Sequence, residues 1–523
     1  MVMVLHGQVL ARTDGRFTYG LDDPYIHLAV AKNLTLYGAW GINAGEFSSC
    51  SSSIGWPFLL WAAFSLVGLH DGVPFWLNVF FASAAVVLVG VSLTGPLTRW
   101  MRLAWMVFLV AFIAFVPLET LPFSGMEHGL HLVVTLALAV AASRVLAHQG
   151  SAEDAPKAWW LLVLAPLSTL ARYEGMFVIL PIAAMLVWRG RWRLAFAMVG
   201  LAVLPIATFG LYALAQGGFF LPNSVLLKGQ SPVGGSLSSY LAKVWARVNA
   251  APHLVRLCLA GAGAFVVGVF VRPTLSPGQW LIAIALPAIG LHLAFAQTGF
   301  LFRYEAYLVG LGLLAVGLRA MELWQACASA GRRTWRDWWP VLGAAACVAS
   351  VVLPFGWRGA YAWTLTPIAS QGIYQQQVQM ARFFNRHYAG RTVAVNDIGA
   401  VSFFGADRSN WVDLWGLATQ EVTWAVREKQ YGVGFIDSIC RREKVEVAVL
   451  YNHYFQAMIP TGWEAVGTWT IQEWATNGSQ QVTFYAVKPE AKADLVANLR
   501  RFSADLPPAV IQEGTYMAGL ATP

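Results

Sequence analysis

The sequence is poor in charged residues. Only 12% of its 523 residues are Asp, Glu, Lys or Arg, whereas 57% are hydrophobic. Soluble domains carry about 25% charged residues. This chain therefore lacks the polar surface that a water-soluble particle needs, and its composition indicates an integral membrane protein.

Cysteine and clustered basic residues are also scarce. The five cysteines include no CxxC pair and no zinc-type spacing, so no structural metal site is expected. A disulfide between Cys50 and Cys440 is the alternative to free thiols. The net charge is +8, but the sequence contains no Lys/Arg-rich run that would bind nucleic acid. Loops on the cytoplasmic side of a membrane protein account for such an excess.

Apolar segments predict about ten membrane spans within residues 1–355. A shorter segment, 56–69, has a length typical of an interfacial or re-entrant helix. We therefore predict that residues 22–69 form loop helices on the outer face. The apolar segments lie near 74–93, 103–118, 129–147, 158–171, 175–188, 194–216, 255–271, 278–297, 304–320 and 338–355.

The placement of charge predicts the orientation. If the Asp22–Asp23 segment lies outside, the basic loops all fall in the cytoplasm, as the positive-inside rule requires. The candidate site residues then all fall on the extracytoplasmic face. The basic loops contain Arg99 and Arg102; Arg144 and Lys157; Arg189, Arg191 and Arg193; Arg272; and Arg319, Arg332, Arg333 and Arg336.

The two ends of the chain differ from its middle. Met1–Gly20 is neither a signal peptide nor a full span, and we interpret it as following a first span that is missing. Residues 356–523 are less apolar and predict an extracytoplasmic α/β domain. We expect a helix over 371–387 and strands over 391–395, 445–450, 465–471 and 481–487.

The first outer loop contains an aspartate pair. Asp23 precedes Pro24, a residue favoured at the first position of a helix, so we predict that Asp23 caps a helix lying on the membrane surface. Capping leaves Asp22 free. Partial desolvation at the membrane boundary would raise its pKa and make it the better general base.

Further polar residues occur in the other predicted outer loops. Ionisable residues at the ends of spans are often simple interfacial anchors. Three cations and several carboxylates on one face are more typical of a site for an anionic ligand. These residues are Glu127, His128, Arg172, Glu174, Asn223, Lys228, Arg303, Tyr304 and Glu305.

An ordered set of motifs resembles the GT-C glycosyltransferases, and in particular the mycobacterial arabinofuranosyltransferases and their bacterial kin. The similarity runs from about residue 20 to 420. It departs from the family where Arg172-Tyr173-Glu174 stands in place of Arg-Pro, and where the first span is missing. The motifs are Asp22-Asp23, Ala31-Lys32-Asn33-Leu34, Gly45-Glu46, Ser51-Ser52-Ser53-Ile54-Gly55-Trp56, Gly125-Met126-Glu127, Pro222-Asn223-Ser224, Arg303-Tyr304, Asp397-Ile398-Gly399-Ala400 and Val412-Asp413-Leu414-Trp415-Gly416-Leu417.

The resemblance implies an enzyme of the bacterial cytoplasmic membrane that transfers a sugar, with inversion, from a polyprenyl-phosphate donor. The acceptor would be a hydroxyl of a glycan, lipid or protein. Asp22 or Asp23 would be the base, and Lys228, Arg303 and Arg172 would hold the donor phosphate. Glu127, His128, Glu174, Asn223, Tyr304 and Glu305 would contact substrate. The resemblance identifies no definite cofactor, and a divalent cation bound by Asp22 and Asp23 is an alternative.

Three other functions share parts of this pattern. A transporter would place ionisable residues within discontinuous, repeated spans, whereas these spans are nearly free of charge and show no repeat. A glycan ligase or polymerase that uses a lipid diphosphate would share the architecture. An inactive scaffold would not need the aspartates and cations.

Overall fold

Long apolar helices make up the first two thirds of the chain. In the computed structural model they form a helical domain, which is followed by a C-terminal domain built on a six-stranded sheet. The structure describes residues 1–94, 97–148, 157–228, 236–269, 274–329 and 339–518.

The helical domain contains sixteen of the described α-helices. They are α1 (Val2–Arg12), α2 (Asp23–Tyr37), α3 (Gly55–Val67), α4 (Val73–Ser92), α5 (Arg99–Phe115), α6 (Leu121–Ser124), α7 (His128–Ala147), α8 (Trp159–Ala171), α9 (Met176–Trp188), α10 (Trp192–Ala215), α11 (Asn223–Lys228), α12 (Leu237–Ala250), α13 (Pro252–Val269), α14 (Pro277–Phe295), α15 (Ala306–Ser329) and α16 (Trp339–Ile373).

Six of the described helices are long and apolar enough to cross a membrane, or seven if the bent pair α12–α13 counts as one span. The prediction of about ten spans is therefore too high by this measure. Helices α8 and α9 explain much of the difference, since each has 13 residues. At 1.5 Å per residue such a helix covers about 20 Å of the roughly 30 Å of hydrocarbon. The chain is a multi-pass membrane protein.

Helix α16 joins the two domains. It has 35 residues and at 1.5 Å per residue is roughly 50 Å long, well beyond the thickness of the hydrocarbon. The boundary predicted at residue 355 lies inside this helix, because the change in composition comes before the helix ends. A π-helical turn over Tyr374–Val378 and helix α17 (Gln379–His387) continue the chain into the C-terminal domain.

The C-terminal sheet has the strand order β2-β1-β3-β5-β4-β6. Strands β1, β2 and β3 are parallel, and the other pairings are antiparallel. The strands are β1 (Thr392–Val395), β2 (Asn410–Asp413), β3 (Val447–Leu450), β4 (Glu464–Thr470), β5 (Gln481–Ala486) and β6 (Ile511–Gly514). The helices beside them are α18 (Gly399–Phe404), α19 (Gln420–Arg427), α20 (Val433–Arg442), α21 (Asn452–Phe455) and α22 (Ala491–Phe502). The predicted α/β domain is confirmed.

Helix α2 lies between the two domains. It packs on α3 on one side and on α18 of the C-terminal domain on the other. The prediction of a surface helix with a single apolar stripe is wrong, because residues 24–31 are all buried. A helix covered on two sides needs small and apolar residues around most of its circumference. The start of α2, which carries the aspartate pair, is thereby fixed against the C-terminal domain.

Candidate functional site

Asp22 is bound to the C-terminal domain. Its carboxylate oxygens accept hydrogen bonds from the backbone N–H groups of Gly399 (2.6 Å) and Ala400 (2.8 Å), in the first turn of α18. Asp22 stands at the N-cap position of α2 and Asp23 is the first helical residue, without a side-chain capping bond. The prediction that Asp23 caps the helix and leaves Asp22 free is therefore wrong. The unpaired N–H groups at the start of α18 are the stronger partner for a carboxylate.

Burial raises the pKa of Asp22 above the ordinary range of a carboxyl group, and the charge of the neighbouring Asp397 raises it further. The hydrogen bonds from Ala400 and Gly399 lower this pKa but do not cancel the increase. The predicted direction of the shift at Asp22 is thus confirmed. Its cause is burial between two domains rather than contact with the membrane boundary.

Asp23 pairs with Arg303. The two side chains meet at 2.6 Å between Oδ2 of Asp23 and Nη2 of Arg303. The Asp23 side chain is 26% exposed and that of Arg303 only 1%. The Arg303 guanidinium also lies 4.6 Å from the ring centroid of Tyr304 and donates to its hydroxyl. This buried cation therefore fixes the direction of the Asp23 carboxylate.

The backbone before Arg303 is in a rarely populated conformation. Phe300, Leu301 and Phe302 have φ values of 46°, 58° and 57°. Left-handed backbone costs non-glycine residues roughly 1–2 kcal/mol each. Such conformations cluster at functional sites, where the surrounding structure holds them. Here the left-handed turn leads directly into Arg303.

Arg172 is held by two carboxylates. It donates to Glu127 and makes two bonds to Glu174, at 2.7 and 3.2 Å. A further contact joins Arg172 to Nε2 of His128 at 3.3 Å. Glu127 is fully buried and also lies 3.6 Å from Nε2 of His27. Since two carboxylates face one guanidinium, the Arg172 charge is more than neutralised.

Two other predicted residues lie outside the cavity walls, and a third, Lys228, has no described side chain. Asn223 is buried and donates to the backbone oxygen of Leu417 and to the Gln420 side chain. Glu305 is buried against Arg358, at 3.3 Å. Neither Asn223 nor Glu305 lines the cavities described below. Lys228 ends α11, and its side chain falls outside the part of the chain that the structure describes.

A first cavity of about 290 Å³ opens beside Asp23. Arg172, Glu174 and Tyr304 stand in its wall, while Arg303 lies behind it. Cys50, also in the wall, is a free thiol, as is Cys440. The lining residues are Asp23, Ile26, His27, Cys50, Ser52, Met126, Arg172, Tyr173, Glu174, Phe177, Ser224, Val225, Phe295, Ala296, Gln297, Tyr304 and Leu417. One part of the wall is thus polar and another is apolar.

A second cavity of about 260 Å³ lies between the start of α2 and the C-terminal domain. Asp23, Gln297, Tyr304 and Leu417 line both cavities. The lining residues are Leu21, Asp22, Asp23, Gln297, Phe300, Tyr304, Ile373, Gln377, Asn396, Asp397, Trp415, Leu417, Tyr454, Thr476, Asn477 and Gly478. Asp23 therefore stands where the two cavities meet.

Sequence reasoning gave no role to several residues of the second cavity. Asp397 and Trp415 belong to motifs that carry the family resemblance, but Gln377, Tyr454 and Asn477 belong to none. Gly399, in one of these motifs, is a sequence signal for the contact between the Asp22 segment and α18. A Cβ at Gly399 would lie 2.0 Å from the backbone oxygen of Asp22, so only glycine permits this contact.

Metal ligation was the remaining alternative for the aspartate pair. Across the described ranges, no group of three His, Cys, Asp or Glu side chains is placed to hold a metal ion. The Asp22 oxygens are occupied by backbone donors and the Asp23 carboxylate by Arg303. These contacts fit a pair of oriented carboxylates.

Comparison with solved structures identifies the architecture. ArnT from Cupriavidus metallidurans, bound to undecaprenyl phosphate, superposes with a TM-score of 0.52 at 13% identity, covering 94% of this chain and 98% of that one. The chain has the GT-C fold. The GT-C fold predicted from the sequence motifs is thus confirmed, with α2 and the C-terminal domain around the aspartate pair.

Other comparisons add less. The oligosaccharyltransferase AglB from Archaeoglobus fulgidus, in complex with an inhibitory peptide and a dolichol-phosphate, gives a TM-score of 0.49 at 12% identity, covering 99% of this chain and 76% of that one. A model described as a domain of unknown function (DUF8728) matches residues 368–485. No curated protein matches the sequence. Within this GT-C fold the residues at the site determine the chemistry.

Proposed function

We propose that the protein is a membrane glycosyltransferase that moves a sugar from a polyprenyl-phosphate donor to a hydroxyl acceptor. The observation that carries this proposal is the position of Asp23 at the junction of two cavities. A transferase needs a base that reaches the acceptor hydroxyl beside the donor. The undecaprenyl phosphate bound to the similarly folded ArnT supports a lipid phosphate as the carrier.

The first cavity suits the donor. Its apolar wall, which includes Phe177, Val225 and Phe295, can bind the start of a polyprenyl chain, and its polar wall can bind the sugar. The donor phosphate needs a cation. Arg172 is already neutralised by Glu127 and Glu174. Lys228 is therefore the chief proposed partner of the phosphate, since Ser224 and Val225 of the same helix line this cavity.

Asp23 is the proposed general base. It accepts the proton of the acceptor hydroxyl while the acceptor oxygen forms a bond to the anomeric carbon and the bond from that carbon to the phosphate oxygen breaks. The polyprenyl phosphate leaves with the electron pair, and its low basicity makes a general acid unnecessary. Attack from the face opposite the phosphate gives inversion.

Asp22 was preferred over Asp23 from the sequence, but geometry comes before pKa in choosing a base. Both Asp22 oxygens accept backbone N–H bonds, and Asp22 lines only the second cavity. Asp23 lines both cavities and is oriented by Arg303. In this proposal Asp22 and Arg303 are positioning residues.

The charge pattern of the loops supports an orientation in the bacterial cytoplasmic membrane. With the basic loops in the cytoplasm, the aspartate pair and the C-terminal domain lie on the extracytoplasmic face. Acceptors there belong to the cell envelope.

The experiment that tests this function uses purified protein and a polyprenyl-phosphate sugar labelled in the sugar. Extracted cell-envelope glycans and glycolipids serve as acceptors. We expect the label to move to an acceptor in wild type and not in Asp23→Asn. Movement of an intact solute across proteoliposomes, without consumption of donor, would indicate a transporter. Consumption of lipid-diphosphate glycans alone would indicate a ligase or polymerase.

A further inference from the structure

The second cavity contains no basic side chain among its lining residues, within the part of the chain that the structure describes. It contains the carboxyl groups of Asp22, Asp23 and Asp397, and Arg303, which lies outside this lining, is already paired with Asp23. A buried anion needs a partner cation to offset the loss of its hydration. The described lining provides no such cation, so it favours an uncharged occupant.

Amide and hydroxyl groups complete the polar wall. The Asp397 carboxylate accepts from the Gln377 amide at 2.7 Å and from the Tyr451 hydroxyl at 2.5 Å. The Asn477 amide donates to Gln376 and Gln377. These bonds fix the orientation of the carboxylate. Because a carboxylate has about four acceptor positions, Asp397 can also accept from ligand hydroxyls.

An aromatic pair forms another part of the wall. The rings of Trp415 and Tyr454 lie 4.8 Å apart at 34°, and Trp415 is 40% exposed. The face of an aromatic ring is electron-rich. It attracts the weakly positive C–H groups on the apolar face of a sugar ring, while the hydroxyls at the ring edge meet the polar wall.

Hydrogen bonds order the loop that carries Trp415 before any ligand binds. Asp413 is buried and accepts from the backbone N–H groups of Trp415 (2.8 Å) and Ala418 (2.7 Å). Ordering a loop beforehand removes part of the entropic cost of binding. The wall that Trp415 and Leu417 form is therefore already ordered before a ligand binds.

The size limits the occupant. The volume of about 260 Å³, like the about 290 Å³ of the first cavity, is slightly below the roughly 300 Å³ at which pockets for drug-sized ligands begin. The cavity thus suits one small end group. It also adjoins the first cavity at Asp23, where the acceptor hydroxyl must lie.

We propose that the second cavity binds the uncharged terminal sugar of an acceptor glycan, stacked on Trp415 and hydrogen-bonded to Asp397. This inference rests on the proposed function, because it assigns the acceptor of the same reaction. It selects a neutral glycan over a phosphorylated lipid or an acidic saccharide as the substrate class.

The test measures binding without turnover. Methyl glycosides and short neutral oligosaccharides, beside matched uronic acids and sugar phosphates, are titrated against purified protein by saturation-transfer NMR. We expect neutral glycosides to bind and the anionic ones to bind at least tenfold more weakly. Trp415→Ala should weaken binding about tenfold or more, and Trp415→Phe should restore part of it.

Trp424→Ala is the matched control, since Trp424 is 46% exposed in the same domain and lies outside the lining of both cavities. Equal binding by wild type and Trp415→Ala, tight binding of the anionic saccharides, or no binding of any neutral glycoside would each overturn the proposal. Donor consumption is measured separately. If the enzyme transfers sugar from the donor but binds neutral glycosides equally well without Trp415, only this inference is rejected. If the enzyme does not consume the donor, the proposed function is rejected.

Discussion

The N–H group of Gly399 donates to the Asp22 carboxylate at 2.6 Å, and no side chain fits between the two residues. A Cβ at Gly399 would meet the Asp22 backbone oxygen at 2.0 Å. This contact connects the beginning of α2 to the C-terminal domain. The aspartate pair is therefore positioned by both domains together.

Gly399→Ala should separate these two segments. We expect a loss of roughly 1–3 kcal/mol in stability, as for other overpacking substitutions, and a lower rate of sugar transfer. The measurement is the thermal unfolding midpoint in detergent, beside the transfer assay. Gly434→Ala is the control, because an added Cβ there meets nothing within 4 Å. Equal stability of the two variants would show that the contact is not needed.

Asp23→Asn should abolish turnover while leaving donor binding intact. It preserves the shape of the side chain but removes its basicity, so we expect a fall in kcat of at least about a hundredfold. Asp22→Asn should mainly weaken the attachment of α2 to α18 and lower the unfolding midpoint. The reverse pattern, an inactive Asp22→Asn and an active Asp23→Asn, would exchange the two roles.

Lys228 and Arg303 should differ in their kinetic effects. Lys228→Ala removes the proposed phosphate contact, worth roughly 1.5–3 kcal/mol, and should raise the donor KM by about one to two decades. Arg303→Ala acts through Asp23. It should lower kcat with little change in donor KM, because the Asp23 carboxylate loses the cation that orients it.

Arg303→Lys keeps the charge and should restore part of the rate, which serves as the control for Arg303→Ala. If Arg303→Ala instead raises donor KM as much as Lys228→Ala does, Arg303 contacts the phosphate directly. That would confirm the role predicted for it from the sequence.

Asp413 predicts a pH dependence of stability. Burial raises its pKa to about 6, against the bonds from the backbone N–H groups that it accepts. Because the folded pKa exceeds the unfolded value, the stability contributed by the protonated form is complete below about pH 4. It is lost as the pH rises through 6.

The unfolding midpoint of wild type should therefore decrease between pH 4 and 7 by more than that of Asp413→Asn, which cannot ionise there. Parallel curves for the two proteins would contradict the assignment. Differential scanning in detergent at several pH values provides the comparison.

Protease protection tests the orientation. Protease added to intact spheroplasts should cleave within residues 388–518, which form most of the C-terminal domain. A reporter cysteine in place of Arg191, which lies in one of the basic loops, should stay unlabelled by an impermeant maleimide until the spheroplasts are lysed. Cleavage of the C-terminal domain only after lysis would place the site in the cytoplasm.

Composition and periodicity predicted the architecture because both are local properties. The apolar segments and strands β1, β3, β4 and β5 were predicted in this way, with ends within two residues for the strands. Strands β2 and β6 were missed. They read Asn-Trp-Val-Asp and Ile-Gln-Glu-Gly, with fewer β-branched residues than the equally short β1 and β3, so their pairing partners decide their conformation.

The roles within the aspartate pair could not be predicted for a related reason. Pro24 supplied a local argument for capping by Asp23, but the partner that orients Asp22 is 377 residues away in the sequence. The pairing of Arg172 with Glu127 likewise joins two separate motifs, 45 residues apart in the sequence. Local rules give the residues that a site uses, whereas their orientation depends on tertiary contacts.

The burial of α2 between two domains also affects the biogenesis of the protein. Residues 23–37 are synthesised long before α18, which begins at residue 399. The newly inserted bundle thus carries a helix with an uncovered face until the last part of the chain has been synthesised and folded. A chain truncated near the end of α16 would insert as a bundle without an assembled site, and its exposed α2 would be a target for chaperones and quality-control proteases.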